Sequence, residues 1–238
     1  MNAYAIVVGI GAALGLFRVS RQRSGQWLDA ALIVLLISLI GARAAFALVN
    51  PAMFAGRPLE ALEIWRGGLS APGALVGAVL GLLLMAWLQR VSVLRLADWL
   101  YPIIPPLAVG AWLGCWLAGS AYGAQVPADT WWSVQAPDES GFVAARVPLQ
   151  LCAALALSAF YFLMETLTPL PRPSGWFFSL AASWLVLVSL VASLLRADPT
   201  PLWRELRLDT WAYLILLVPF FGLFSWLNFI GRKNPKGQ

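Results

Sequence analysis

Residues 174–195, SGWFFSLAASWLVLVSLVASLL, contain no charged side chain, and the nearest acids on either side are Glu165 and Asp198. A helix needs about 20 apolar residues to cross the hydrocarbon core of a bilayer, and this stretch reaches that length. Stretches of the same kind recur outward from it, near residues 3–17, 30–49, 68–89, 99–118, 147–165 and 210–230. The pattern predicts about seven spanning helices in a single transmembrane domain, residues 1–238, and an all-α integral membrane protein as the fold class. Composition agrees, since 61% of residues are apolar and only 11% charged, against roughly 25% charged in soluble domains.

The formal charge is +5, but the basic residues stand singly beside apolar blocks and form no run. Membrane topology accounts for them, and no nucleic-acid partner is expected. Arg18, Arg21 and Arg23 follow the first apolar stretch, the reverse of the order in a cleaved signal peptide. On the seven-span count, Arg18, Arg21, Arg23, Arg90, Arg95, Arg172, Arg232, Lys233 and Lys236 fall on one side, nine against six on the other. The positive-inside rule then puts the N-terminus outside and the C-terminus in the cytoplasm. Trp27, Trp65, Trp99, Trp176, Trp203 and Trp211 fall near span ends, where amphipathic rings favour the headgroup layer.

Within the spans, Gly73, Gly77 and Gly81 bare a strip of backbone along one face of the third helix. Such a strip either admits a second helix at close range or forms a groove for a lipid chain. Pro102, Pro105 and Pro106 predict a kinked or broken fourth span. The longest external segment, residues 119–146, carries Trp131, Trp132, Asp129, Asp138 and Glu139. It is either a periplasmic-side arm lying on the membrane or an ordinary connecting loop.

The chain has no histidine, which excludes an imidazole base and a Ser/His/Asp triad and removes the commonest transition-metal ligand. Cys115 and Cys152 are isolated thiols in apolar stretches and read as packing residues. With no zinc spacing and no phosphate-binding glycine loop, neither a metal nor a cofactor is expected. Arg43 stands out because it lies well inside the second span. A guanidinium there either extends its stem to the outer surface or meets a lipid phosphate. Arg66, Arg146 and Arg196 sit at outer span ends, as interfacial anchors or, if they converge, as an anion site.

Residues 63–77, Glu63-Ile64-Trp65-Arg66-Gly67-Gly68-Leu69-Ser70-Ala71-Pro72-Gly73-Ala74-Leu75-Val76-Gly77, resemble the IWxGGLSFHGGLxG segment of prolipoprotein diacylglyceryl transferases. Further segments follow in the family's order. Gly41-Ala42-Arg43 is similar to its GAR motif, Asp98-Trp99-Leu100-Tyr101-Pro102 to its DxxxP, and Gly119-Ser120-Ala121-Tyr122-Gly123 to its GExYG. Arg146-Val147-Pro148-Leu149-Gln150-Leu151 resembles RHPSQLYE, Arg196-Ala197-Asp198 the tail of RFxxExxRxPD, and Tyr4 a tyrosine of the first family helix. The resemblance implies a seven-helix body with an outer arm in the bacterial inner membrane. It also implies an activity, transfer of a diacylglyceryl group from phosphatidylglycerol to the cysteine of a lipoprotein precursor.

The departures from the family are equally specific. The family's histidine falls on Pro72, the arginine and asparagine of its GRxGN motif on Trp112 and Cys115, and its next asparagine on Ala118. The glutamate of GExYG falls on Ser120, and the arginine and glutamate of RFxxE on Ser189 and Ser193. No catalytic residue can therefore be named. The resemblance leaves Arg43, Arg146 and Arg196 as lipid-headgroup contacts, and Tyr4, Gly67, Gly68, Asp98, Tyr122, Gly123, Pro148 and Gln150 as retained motif positions. The expected partner is a phosphatidylglycerol-like phospholipid, with a lipoprotein precursor as the protein partner. A degenerate, lipid-binding member fits these departures; a divergent active transferase and a transport or scaffold protein on the same fold are the alternatives.

The charge asymmetry makes a direct prediction. Cysteines placed after Lys233 should react with a membrane-impermeant thiol reagent only after cells are opened, and labelling in intact cells would reverse the assigned topology.

Overall fold

The computed structural model describes residues 3–23, 27–64, 67–138, 140–167 and 172–233. The spans are α1 (Ala3–Arg23), α2 (Leu28–Val49), α3 (Ala71–Gln89), a broken fourth span, α6 (Leu149–Leu167), α7 (Trp176–Leu195) and α8 (Leu208–Lys233). The fourth is α4 (Val93–Leu100), a single 3-10 turn at Tyr101–Ile103, and α5 (Ile104–Leu117). Among the described residues, seven segments are thus long and apolar enough to cross a membrane. The break in the fourth falls where its prolines predict. Pro102 lies in the 3-10 turn and Pro105 in the first turn of α5, where a missing N–H costs no intrahelical bond. Below, the end of the bundle that the basic residues assign to the outside is called the outer end.

The most extensive pairings join α2 to α3, α1 to α5 and α7 to α8. In the first, glycine is required by proximity: a Cβ at Gly77 would lie 2.6 Å from the Ile37 carbonyl oxygen, and one at Gly41 2.7 Å from that of Gly73. The glycine strip of α3 is therefore closed by α2, and the alternative of a groove open to a lipid chain is corrected. Backbones that approach this closely gain dispersion along their whole length, the main attraction left between helices when lipid replaces water. The Ser38 hydroxyl adds a bond of 2.8 Å to the Ala74 carbonyl across the same seam.

At the inner end, Asp98 of α4 caps a different helix. Its carboxylate accepts from the Gly175 and Phe178 amides at 2.6 and 2.9 Å, so a negative charge meets the unpaired donors and positive dipole end of α7. The aspartate of the DxxxP motif is in this way a fastener between the fourth and sixth spans. Arg18 pairs with Glu165, tying α1 to α6. Two of the tryptophans read as headgroup anchors have another role here. Trp27 and Trp176 are buried in protein, Trp27 stacked on Trp99 at 4.3 Å, and the Trp176 indole donates to Asn228 at 3.0 Å. Trp65 lies outside the described residues.

The outer arm carries a hairpin, β1 (Val134–Pro137) paired antiparallel with β2 (Val143–Arg146), Val134 opposite Arg146. Its turn is organised by Asp138, whose Oδ1 accepts from the Ser140 hydroxyl and from the Ser140 and Phe142 amides. A smaller hairpin, β3 (Leu202–Trp203) with β4 (Leu206–Arg207), joins α7 to α8. Strands of two and four residues are too short to leave an alternating pattern, so neither hairpin was expected from the sequence.

If the α2–α3 seam rests on backbone proximity, Gly77→Val should lower thermal stability by about 1–3 kcal/mol or more, as overpacking does. Gly222→Val is the control, since a Cβ there meets nothing within 4 Å. Equal melting temperatures for the two purified variants would refute this account of the seam.

Candidate functional site

Arg43 is buried near the outer end of α2, and its side chain neither reaches the surface nor stands open to a ligand. Its Nε donates to the Ala61 carbonyl at 2.7 Å and Nη2 to that of Glu60 at 2.6 Å. Nη1 donates to the Gly67 and Gly68 carbonyls at 2.5 and 3.1 Å. The Phe46 and Phe54 rings cover its flat faces at 5.7 and 5.3 Å. Gly67 and Gly68 take φ of +84° and +72°, and a Cβ on Gly68 would strike the Phe46 ring at 2.5 Å. The glycine pair thus turns two carbonyls towards one guanidinium in a conformation that other residues rarely adopt. The Ser70 amide then bonds to the Ala42 carbonyl at 3.0 Å, and the chain enters α3 with Ser70 as N-cap.

Arg146 and Arg196 are both tied to one segment, residues 122–126. Arg146 bridges to Gln125 and Arg196 to Gly123, while the Ala197 amide donates to the Tyr122 carbonyl. The Arg146 guanidinium lies over the Tyr122 ring at 4.6 Å, donates to the Ala136 carbonyl at 3.3 Å and pairs with Asp138 at 3.1 Å. The Ser140 hydroxyl, then the Phe142 and Ser140 amides and Arg146, hold the Asp138 carboxyl below the usual carboxylate range.

Arg196 pairs with Asp198 and Asp209, and Arg207 pairs with the same two acids, closing a square of alternating charge where α7, the small hairpin and α8 meet. Burial alone would push the Asp198 carboxyl up, but Arg196 and Arg207 more than reverse it and hold it low. Burial opposes the charge on Arg196 too, and Asp198 and Asp209 prevail, raising its pKa. The sequence reading singled out Arg196 and overlooked Arg207 and Asp209. Their signal was the opposite charges at Asp198, Arg207 and Asp209 on both sides of a short connection.

Pro72 is buried in the first turn of α3. Trp112 packs against the cluster of Leu157, Tyr161 and Met164 between α5, α6 and α7. Ser189 and Ser193 are buried on α7, and Thr210 of α8 donates to the Ser193 hydroxyl at 2.9 Å. Tyr4 packs against Gly114 of α5, and the Pro148 carbonyl accepts the Cys152 amide as α6 begins. Cys115 accepts the Ser120 amide through its carbonyl, and the Ser120 carbonyl accepts from the buried Gln150 amide at 2.9 Å. Beside this chain of contacts, Trp116, Leu117, Gly119, Gln135, Ala136, Pro137 and Gln150 line a cleft of about 270 Å³ between the end of α5 and the hairpin. Arg66 and Glu139 lie outside the described residues. Among the described residues, no group of three His, Cys, Asp or Glu side chains can hold a metal ion.

The sequence pattern of the family described as prolipoprotein diacylglyceryl transferase matches residues 1–226. The chain belongs to this family. A phosphatidylglycerol–prolipoprotein diacylglyceryl transferase of Bordetella avium is 31% identical to it over 180 residues, 72% of this chain and 67% of the relative. One of Bacillus licheniformis is 26% identical over 99% of this chain and 91% of the relative. One of Nitrosomonas europaea is 30% identical over 72% of this chain and 63% of the relative. The activity of the prolipoprotein diacylglyceryl transferase family is transfer of a diacylglyceryl group from phosphatidylglycerol to a prolipoprotein, and its setting, the bacterial inner membrane, accords with the seven spans of this member.

The guanidinium fork of Arg43 gives a clear expectation. Lysine keeps the charge but cannot aim three nitrogens at four carbonyls, so Arg43→Lys should leave acceptors unmet and lose about 1–3 kcal/mol. Thermal unfolding of the purified variant measures this, and wild-type stability in Arg43→Lys would show that charge alone suffices.

Proposed function

We propose that this chain holds a diacyl phospholipid, phosphatidylglycerol or a close analogue, at the outer face of the family scaffold without transferring its diacylglyceryl group at a useful rate. The observation that carries the reading is the occupancy of its outer arginines: Arg43 by four backbone carbonyls, Arg146 by Asp138, and Arg196 by two aspartates. Transfer requires a cysteine thiol to lose its proton and attack carbon while glycerol phosphate departs, which draws on a base and on cations that meet the developing charge. Pro72 can act neither as a proton acceptor nor as a backbone donor. Trp112, Ser189 and Ser193 offer no charge where the family has an arginine, an arginine and a glutamate. Loss of one electrostatic donor commonly costs about 10²–10³ in rate, and here several are replaced together.

In this reading Arg43 supports the outer end from within by holding the turn at residues 60–68, Arg146 and Arg196 brace the outer segments against which a headgroup rests, and a prolipoprotein is the protein partner, bound and left unmodified. Binding outlasts chemistry because holding a lipid needs surface and hydrogen bonds, whereas transfer needs groups that favour the transition state over the ground state.

Expression in cells depleted of their own transferase tests the proposal. Precursor lipoprotein should remain unmodified although the protein is inserted, and phospholipid should copurify with it. Labelled diacylglyceryl-cysteine on a precursor, together with restored growth, would return this chain to the active enzymes.

A further inference from the structure

The cleft between α5 and the hairpin has a wall chemistry at odds with a phosphate site. Among the described residues, none of the seven that line it is charged. Its polar groups are the amides of Gln135 and Gln150, and its apolar side is Trp116 and Leu117. Gln150 is buried, and among the described residues it uses one N–H on the Ser120 carbonyl, leaving its carbonyl oxygen as an acceptor and its second N–H as a donor. The nearest cation on the hairpin, Arg146, is turned to Asp138, the Ala136 carbonyl and the Tyr122 ring.

Depth and size narrow the ligand further. Leu117 ends the fourth span and Gln150 stands in the first turn of the fifth, so the cleft opens at the outer boundary of the hydrocarbon. Leu113 and Leu117 are exposed on α5 below and beside it, a surface along which acyl chains can run. A volume of about 270 Å³ lies just under the roughly 300–1,000 Å³ of pockets that bury drug-sized molecules, enough for a headgroup and too little for its tails.

We propose that this cleft takes the uncharged, hydroxyl-bearing end of a diacylglycerol-based headgroup and does not read the phosphate. Side-chain amides, each both donor and acceptor, match hydroxyls that are the same, while a phosphate monoester brought there would lose water without gaining a cation. The proposal rests on the lipid-holding reading above and specifies its ligand. Two lipids offer this chemistry, phosphatidylglycerol through its terminal glycerol and a hexosyl diacylglycerol through its sugar.

The test is competition for the purified full-length protein in detergent among phosphatidylglycerol, monohexosyl diacylglycerol and phosphatidic acid with identical acyl chains, read as bound lipid by native mass spectrometry. One or both polyol lipids should exceed phosphatidic acid by about three- to tenfold, the worth of one or two neutral hydrogen bonds, and the lipid preferred identifies the source. Gln150→Leu should reduce that preference. Because this change also breaks a buried bond to Ser120, Gln135→Leu on the exposed strand is the second variant and should reduce it as well. Phosphatidic acid bound as well as both polyol lipids overturns the polyol assignment and leaves the lipid-holding reading standing. A preference unchanged in both variants overturns the assignment to this cleft, and retention of no lipid overturns both readings.

Discussion

A guanidinium inside a spanning helix has to be solvated by protein, and the outer half of this bundle is organised by the way Arg43 meets that demand. Water is absent from the hydrocarbon, so the charge must draw acceptors from the chain itself. Four carbonyls supply them, and all come from residues 60–68. The connection between α2 and α3 is thereby folded back onto α2, which sets where α3 begins and lets the Gly41, Gly73 and Gly77 backbones meet. The retained GAR and Gly-Gly motifs are two halves of one clamp, the donor on a helix and the acceptors on the turn.

The same principle governs the other charges at this end. Arg146 is completed by the hairpin it helps to close, and Arg196 by a square of four groups that locks α7 to α8. A cation already matched by a carboxylate offers a leaving phosphate little further stabilisation, because the electrostatic gain has been realised in the resting protein. The uncharged side chains singled out with them pack: Pro72 is buried at the opening of α3, Trp112 lies among α5, α6 and α7, and the Ser193 hydroxyl sits on the α7–α8 seam. Among the described residues, an amide-lined cleft lies beside these groups at the outer end.

The number of spans, their approximate limits and the break in the fourth were legible in the sequence, because hydrophobic length and proline chemistry act locally. The glycine strip of α3 was legible as a place of close approach. Family membership was also legible, since motif order and residue identity need no coordinates. Tertiary structure alone decided what each marked residue touches. From the sequence, Arg43 had two fates, surface or lipid, and it took a third because the Gly67–Gly68 turn folds back from residues distant along the chain. Trp27 and Trp176, placed by sequence at span ends, are buried because neighbouring helices cover them. The charge square and the hairpins depend on pairings across chain separations that no periodicity records, and so does the pairing of Arg146 with Asp138 beside the cleft.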